Sequence, residues 1–501
     1  MSAAALEDRL LEALRAAVGD AHVELGEAAQ ELSRDLSFAP LQSAAAVVAP
    51  ASAADTAAVI ALAAAAGTPV VPRGGGMSYT GGYQPAVAGA LLIDTRRLDR
   101  IREINVEDLT VTVEAGVTWE RLYEALRAEG VRTPCFGPIS GRYATVGGSL
   151  SQGTIFYGSA KYGTLADSTL GVEAVLADGT LVHTGSWAMT TSTPFFRWAG
   201  PDLTGVFLGD CGAFAVKTAA VLRLIEAPRV LRGIAFGYDS LEQALDGLVA
   251  LGRPQIAAEL YGFDPYWHEL YVRRGYEFLE GVAWSNHALV EGRDEAEVEA
   301  QIEQLRAIGA AGGRELDGRI ATETRDDPFG SVSVLGPGGR VWVPIHCLVP
   351  LSKARAAARA GERVIESHRA ELDRLGVSTS HLTSTVGHFA VIEPCMWWHD
   401  EVSGHRWAVS QAGGRTRREQ GPNPPARALV QQLKAELADA YRELGAAHLQ
   451  IGKFYPFEQV LEPGSWSLLS RIKDVLDPAG TVNPGSLGLA TGRILHPEHC
   501  S

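Results

Sequence analysis

The feature that most constrains this chain is a dense cluster of glycines after a short apolar stretch, in the segment VVPRGGGMSYTGG. Five glycines fall within the nine residues from Gly74 to Gly82. Glycine loses more backbone entropy on folding than any other residue, so this density needs a reason. Without Cβ atoms, successive N–H groups can converge on an anion such as a pyrophosphate, and Ser78 and Thr80 add hydroxyl groups. A plain glycine-rich turn would have the same composition.

Two common phosphate-binding loops do not fit this segment. The loop of nucleotide triphosphatases ends in Gly-Lys-Ser/Thr, whereas here Gly81 and Gly82 are followed by Tyr83. The dinucleotide motif GxGxxG that opens a helix is also absent, because Tyr79 stands where its last glycine would be. Any bound phosphate therefore belongs to another fold.

Composition excludes several classes of protein. A chain of 501 residues that is 46% apolar has room for about two to four domains. The formal net charge of −15 and the lack of a dense Lys/Arg run argue against nucleic acid as a partner. Five dispersed cysteines without a CxxC pair predict reduced thiols rather than disulfides or structural zinc.

The sequence also carries a prediction about location. The N-terminal residues alternate apolar and charged side chains, unlike a signal peptide. The longest apolar run, residues 57–66, is about half of the ~20 residues needed to cross a bilayer. We therefore predict a cytoplasmic protein without a transmembrane segment, and leave peripheral membrane association and the oligomeric state open, including a homo-oligomer.

Three further segments, taken with the glycine loop, give a resemblance to a known family. The loop RGGGxSxTGG, the segments 144–179 and 200–224, and the tail 472–489 occur in the same order in the vanillyl-alcohol-oxidase superfamily of FAD-binding oxidoreductases. The chain resembles in particular the D-lactate dehydrogenases (cytochrome) and glycolate oxidase subunits of that superfamily. This resemblance spans about residues 40–225 and 450–490.

The resemblance implies a fold and a domain division. The fold is α+β, with a two-subdomain FAD-binding domain of the vanillyl-alcohol-oxidase type and an α+β substrate (cap) domain with a mixed or antiparallel sheet. Residues 1–36 form a helical leader, 37–226 the FAD-binding domain, 227–460 the cap domain, and 461–501 a C-terminal segment that returns to the FAD domain.

The resemblance also implies the cofactor residues. The cofactor is FAD, bound non-covalently because Met77 stands where some relatives have a histidine that attaches the flavin. The implied FAD-binding residues are Pro72, Arg73, Gly74, Gly75, Gly76, Met77, Ser78, Gly81, Thr145, Gly147, Gly148, Thr154, Tyr157, Asp210, Gly212, Ala215, Val216 and Asn483.

The catalytic end departs from the metal-dependent branch of the family. That branch has GHxGDGNxH and GEHG motifs, whereas here Gly387-His388 runs into FAVIEPC and Ala447 replaces the glutamate before His448. Two of the three expected ligands are missing, so we predict no catalytic metal. His448 is the candidate base, and the other candidates are Tyr455, His388, Lys453 and Arg340.

Each of these residues also has a structural interpretation. His448 and His388 could be hydrogen-bonded core histidines, Tyr455 a packed aromatic, and Lys453 and Arg340 solvated surface cations. His346, in the apolar run VWVPIHCLVP, could face a cavity or the core. The cluster Met396-Trp397-Trp398 could form the wall of a substrate pocket or part of the core.

Three functions remain open. The first is oxidation of a 2-hydroxy acid such as D-lactate, with electrons passed to oxygen, a quinone or a cytochrome. The second is oxidation of an aromatic (phenolic) alcohol, which the GKFYPF segment and the Trp-rich residues also fit. The third is a flavin protein without redox turnover or an ether-lipid synthase-like transferase. A partner for a substrate carboxylate would decide between the first two.

Overall fold

The computed structural model describes residues 7–38, 42–330, 335–411 and 421–489. Its helices alternate with strands over the whole length, and the predicted α+β class is confirmed. The helices are α1 Asp8–Val18, α2 Gly26–Leu32, α3 Ala53–Ala65, α4 Trp119–Ala128, α5 Val146–Gln152, α6 Ser159–Tyr162, α7 Leu241–Gly252, α8 Pro265–Val272, α9 Glu295–Gly309, α10 Arg319–Asp326, α11 Ala354–Ser367, α12 Arg369–Leu375, α13 Gly404–Gln411, α14 Pro424–Glu443, α15 Phe457–Val460 and α16 Pro463–Leu476. Within the described ranges, no helix has both the length and the apolar character needed to cross a lipid bilayer.

The strands form three larger sheets and one short two-stranded ribbon. They are β1 Val23–Glu24, β2 Ala46–Val48, β3 Val70–Arg73, β4 Leu91–Asp94, β5 Ile101–Asn105, β6 Thr110–Glu114, β7 Val131–Arg132, β8 Thr169–Val175, β9 Leu181–His183, β10 Val216–Arg223, β11 Ile225–Glu226, β12 Val230–Tyr238, β13 Glu259–Phe263, β14 Trp284–Gly292, β15 Arg314–Leu316, β16 Val341–Pro344, β17 Cys347–Pro350, β18 Ser378–Val386 and β19 Phe389–Trp398.

Two of the sheets lie in the N-terminal half of the chain. The first has the order β1-β2-β4-β3, with β2, β4 and β3 parallel, and the glycine cluster follows directly from β3. The second is antiparallel, in the order β5-β6-β10-β8-β9. Asp178-Gly179, a dipeptide whose sequence favours a hairpin turn, joins β8 to β9. Thr118, a residue type favoured at helix N-caps, caps α4 by accepting a hydrogen bond from the Arg121 N–H.

The third sheet is antiparallel and follows the order β15-β12-β14-β13-β18-β19-β16, with β17 also paired to β19. Alternate residues of a strand point to opposite faces. On one face, side chains such as Val343, Met396 and Trp398 join a core with α7, α11 and α14. On the other face, Trp342 and Trp397 border a cavity.

The cysteines agree with the prediction as far as the structure describes them. Cys135, Cys211, Cys347 and Cys395 are buried and carry free thiols, whereas Cys500 lies outside the described residues.

The domain boundaries at residues 36, 226 and 460 stay a prediction.

A buried network of charges joins the N-terminal half to the eight-stranded sheet. Arg325 of α10 lies 2.5 Å from Glu259 of β13 and 2.8 Å from Glu291 of β14. Arg132 of β7 also pairs with Glu291, and Glu259 accepts a hydrogen bond from the Gly158 N–H at 2.7 Å. Burial raises the pKa of Glu259, whereas the two arginines hold the pKa of Glu291 below its usual range despite its burial. The carboxylates therefore depend on the arginines for compensation.

We predict that Arg325→Met destabilises the fold by about 3–5 kcal/mol, because it leaves buried carboxylates without their cation. The free energy of unfolding, measured by urea titration, checks this. Arg319→Met, an exposed arginine on the same helix, is the matched control. If both variants unfold at the same urea concentration, the network does not contribute as described.

Candidate functional site

A cavity of about 500 Å³ connects the glycine loop to the eight-stranded sheet. At one end it is lined by residues 72–79, by the start of α5, and by Gly212 and Ala215. At the other end it is lined by His346, Glu393 and Trp397. Three segments that are far apart in the sequence therefore meet at the first end, as the resemblance implied.

In the glycine loop, the carbonyl groups of six residues have hydrogen-bond partners, whereas the N–H groups of four residues have none among the described residues. Within the described residues, the N–H groups of Gly75, Gly76, Met77 and Ser78 donate to no protein acceptor. The carbonyl groups have partners from several parts of the chain, namely Arg73 for Gly74, Tyr83 and His405 for Gly76, Leu36 for Ser78, Lys434 for Tyr79, and Lys453 for Thr80 and Gly81. Free N–H groups beside a cavity form a site suited to an anion.

The glycines are required by close contacts rather than by flexibility alone. A Cβ added to Gly75 would lie 1.8 Å from the carbonyl oxygen of Tyr143, and one on Gly74 would lie 2.3 Å from the Thr145 hydroxyl. Gly212, with φ +70°, has the Cγ of Pro72 at 2.5 Å from its would-be Cβ. Side chains at these positions would fill or displace the lining of the cavity.

Most of the predicted cofactor residues line this end of the cavity. They are Pro72, Arg73, Gly74, Gly75, Gly76, Met77, Ser78, Thr145, Gly147, Gly148, Thr154, Gly212 and Ala215. The donor set is made of backbone N–H groups and hydroxyl groups, the chemistry that a pyrophosphate needs. The residues present therefore fit FAD.

Five other predicted cofactor residues lie outside the lining. The Gly81 N–H donates to Asp35 at 2.7 Å, so it is not available to a phosphate. Asn483 connects the glycine loop to the segment 200–224 by donating hydrogen bonds to the carbonyls of Gly82 and Cys211. Asp210 pairs with Lys217 at 2.6 Å, Tyr157 is buried and donates to the Pro328 carbonyl, and Val216 lies in the core.

The sheet end of the cavity contains a histidine and a carboxylic acid that lie opposite each other on two directly paired segments of the sheet. The pairings on either side of residues 345–346 keep one register, which sets His346 opposite Glu393 of β19. His346 Nε2 lies 3.5 Å from Glu393 Oε1, and both side chains line the cavity. A neutral imidazole beside a carboxylate can accept a proton and have the resulting charge stabilised.

Aromatic rings form a wall of the same cavity. Trp342 stacks on Trp397 with ring centroids 5.1 Å apart, and Tyr79 of the glycine loop lies 5.5 Å from Trp342. Phe263 and Trp267 continue the lining. Trp397 thus faces the cavity, whereas its neighbours Met396 and Trp398 belong to the core.

The predicted base, His448, lies behind this wall and does not line the cavity. Its Nδ1 is 2.6 Å from the carbonyl oxygen of His346, and burial lowers its pKa. Tyr455 stacks on His448 at 3.9 Å, and its hydroxyl accepts a hydrogen bond from the His346 N–H at 3.1 Å. These two residues therefore hold the backbone that carries His346.

The other three candidate catalytic residues also lie outside the cavity lining. His388 is exposed in the two-residue turn between β18 and β19. Arg340 donates to the Ser378 and Tyr266 hydroxyls at 2.8 and 2.7 Å. Lys453 is bonded to Asn483 Oδ1 at 2.6 Å and to the Gly81 carbonyl at 3.2 Å, and burial lowers its pKa to about 7.

In the part of the chain that the structure describes, no group of three or more His, Cys, Asp or Glu side chains could hold a metal ion. Glu393 and Cys395, which follow Gly387-His388 in place of the expected metal-binding motif, both line the cavity from β19. The sequence signal for this wall was the alternation of large or polar residues with apolar ones in VWVPIH and EPCMWW.

Comparison with known proteins identifies the cofactor region. Residues 44–185 match a family model described as FAD binding domain. A probable mitochondrial D-lactate dehydrogenase of Danio rerio is 30% identical over 245 residues, which cover 49% of this chain and 48% of that protein. The chain spans about half the length of the curated relatives it matches.

Solved structures share the whole fold at low identity. A 4-ethylphenol oxidase from Gulosibacter chungangensis, in an isoeugenol complex, is 18% identical with a TM-score of 0.75, covering 99% of this chain and 100% of that one. An alkyldihydroxyacetonephosphate synthase is 16% identical with a TM-score of 0.72, covering 97% of this chain and 87% of that one.

These findings confirm the resemblance to vanillyl-alcohol-oxidase-type FAD-binding oxidoreductases. Residues 44–185 form an FAD binding domain, and FAD is the cofactor of this chain. The fold prediction is confirmed by the same comparisons.

We predict that Gly75→Ala weakens FAD binding by roughly 10–100-fold, the loss of about one hydrogen bond to a charged group. The added methyl would collide with the Tyr143 carbonyl and turn the N–H groups of the loop away from the phosphate. The flavin-to-protein absorbance ratio and the FAD dissociation constant check this. Gly464→Ala, where a Cβ meets no atom within 4 Å, is the control. Equal FAD affinity in both variants would show that the loop does not bind the pyrophosphate.

Proposed function

We propose that this chain is an FAD-dependent oxidoreductase that removes a hydride from the CH–OH carbon of an aromatic alcohol. The observation that carries the proposal is the sheet end of the cavity, which is lined by the aromatic rings of Trp342, Trp397 and Phe263 as well as by His346 and Glu393. A flat aromatic substrate buries apolar surface against such a wall. FAD, when bound, accepts the hydride.

The charge of the wall supports this choice over a 2-hydroxy acid. Among the described residues that line the cavity, the cations are Arg73 and Lys217 near the cofactor end and the exposed Arg274. Among the described residues, the histidine and the carboxylic acid that line the sheet end are His346 and Glu393. A substrate carboxylate would meet another carboxylic acid, Glu393, at this end rather than a cation, whereas an alcohol needs no cation.

In this proposal His346 takes the hydroxyl proton as the hydride leaves the carbon. Glu393, opposite it on β19, stabilises the charged imidazole. His448 and Tyr455 act indirectly, because their hydrogen bonds hold the His346 backbone in place. The aromatic wall excludes water from the reacting carbon.

A 2-hydroxy acid such as D-lactate is the second candidate. It is favoured by the relative named as a probable D-lactate dehydrogenase and by Arg274, which lines the cavity and could pair with a carboxylate. In that case the substrate would lie nearer α8 than β19. The electron acceptor, whether oxygen, a quinone or a cytochrome, is left open.

Anaerobic reduction of the bound flavin separates the two candidates. We expect vanillyl alcohol to bleach the flavin absorbance near 450 nm, which is about where the oxidised flavin of any flavoprotein absorbs. D-Lactate and D-2-hydroxyglutarate should not bleach it. Bleaching by a hydroxy acid alone would replace the proposal with the second candidate.

We predict that His346→Gln slows flavin reduction by the active alcohol by about 10²–10⁴-fold, the usual contribution of a general base. Single-turnover stopped-flow measurements check this. His388→Gln, a histidine in an exposed turn of the same sheet, is the matched control and should react like the unmodified protein. A larger loss in His448→Gln than in His346→Gln would make His448 the base instead.

A further inference from the structure

Residues outside the matched FAD binding domain hold the glycine loop at the two peptide groups that flank the Cα of Gly81. The family match begins at residue 44, whereas Asp35 lies in the connection between α2 and β2. Asp35 Oδ2 accepts the Gly81 N–H at 2.7 Å, and Lys453 Nζ donates to the Gly81 carbonyl at 3.2 Å. Gly81 is therefore held on both sides by charged side chains.

Asp35 is itself fixed by its neighbours. Its Oδ1 accepts the Ser37 N–H at 2.7 Å and the Ser37 hydroxyl at 2.6 Å. The next residue, Leu36, donates its N–H to the Ser78 carbonyl at 3.1 Å. The connection between α2 and β2 thus contacts the glycine loop at Ser78 and Gly81. The N–H groups of residues 75–78, which donate to no described protein acceptor, belong to residues that line the cavity.

Lys453 is fixed in the same way. It donates to Asn483 Oδ1 at 2.6 Å and lies 3.4 Å from the Gly82 carbonyl, and its backbone N–H donates to the Thr80 carbonyl at 2.9 Å. The Lys453 side chain thus has three acceptors, namely Asn483 Oδ1 and the carbonyl oxygens of Gly81 and Gly82. An ammonium group has three hydrogens for them, whereas a neutral amine has two. Loss of its proton therefore releases one contact.

We propose that Asp35 and Lys453 are positioning residues that set the affinity of the chain for FAD, by orienting the N–H groups of the glycine loop toward the pyrophosphate. Neither residue lines the cavity, so both act through the backbone of Gly81 rather than by touching the cofactor. The proposal concerns FAD and not the substrate, so it stands or fails independently of the proposed alcohol oxidation.

The groups that face this pair predict a dependence on pH. Lys453 faces Asp35, in the connection between α2 and β2, and the Cys211 thiol, in the segment 200–224. Lys434 of α14 also faces Asp35. Burial lowers the pKa of Lys453 to about 7 and raises that of Asp35. A bound anion favours the charged lysine, so FAD affinity should be highest below pH 7 and fall as pH rises above it.

The test measures the FAD dissociation constant of the full chain after the flavin has been removed and added back. We expect Asp35→Ala to raise the dissociation constant about tenfold at pH 6.5, with Glu27→Gln, an exposed leader carboxylate, as the control. Asp35→Asn keeps the shape and serves if the alanine variant does not fold. Affinity equal to the unmodified protein in a folded Asp35 variant would overturn the proposal.

The pH profile tests the role of Lys453. We expect the unmodified protein to lose FAD affinity between pH 6.5 and 8.5, and the Lys453→Met variant to bind FAD more weakly with a flat profile over that range. A profile that is flat in the unmodified protein, or that keeps its slope in Lys453→Met, would contradict the assignment. A purely structural role of the lysine would change stability without removing the slope.

Discussion

The constraint on which the rest of this structure depends is the direction of the peptide groups in the glycine loop. A loop of this kind binds an anion only if its N–H groups point to one side and its carbonyl groups are satisfied on the other. Here the carbonyl partners come from Leu36, Lys434, Lys453 and other residues spread over most of the chain. The cofactor site is therefore a product of the whole fold and not of the glycine segment alone.

The eight-stranded sheet provides the second part of the site through the simple alternation of its residues. Because successive side chains point to opposite faces, Val343 and Met396 build the core while Trp342, His346 and Trp397 face the cavity. The register between β16, β17 and β19 then sets His346 against Glu393. One strand pairing thus fixes both the packing of the sheet and the chemistry of the wall.

The features that sequence reasoning found were the ones encoded locally. The glycine loop, the Asp178-Gly179 hairpin and the Thr118 cap each depend on a few adjacent residues. The long strands of the eight-stranded sheet are less evident in the sequence, because β14 and β18, of nine residues each, carry Ser, Thr, Asn and His. Those polar residues interrupt the alternation of apolar and polar side chains that identifies a strand in a sequence. They can be buried because they form hydrogen bonds to other elements.

Long-range pairing explains what the sequence could not supply about the site. His448 stood out because it kept a family position, yet His346, 102 residues earlier, is the histidine beside the cavity. Asp35 gave no signal, since a carboxylate after a helix is ordinary in sequence and its contact with Gly81 spans 46 residues. Both facts require knowledge of which strands and segments lie side by side.

The central claim is that the free N–H groups of the glycine loop hold the FAD pyrophosphate, and a crystal structure of the FAD complex tests it most directly. We predict pyrophosphate oxygens within hydrogen-bonding distance, about 2.7–3.2 Å, of the N–H groups of residues 75–78. The flavin ring should extend toward the His346–Glu393 pair. A pyrophosphate bound elsewhere, with these N–H groups left facing solvent, would contradict the account.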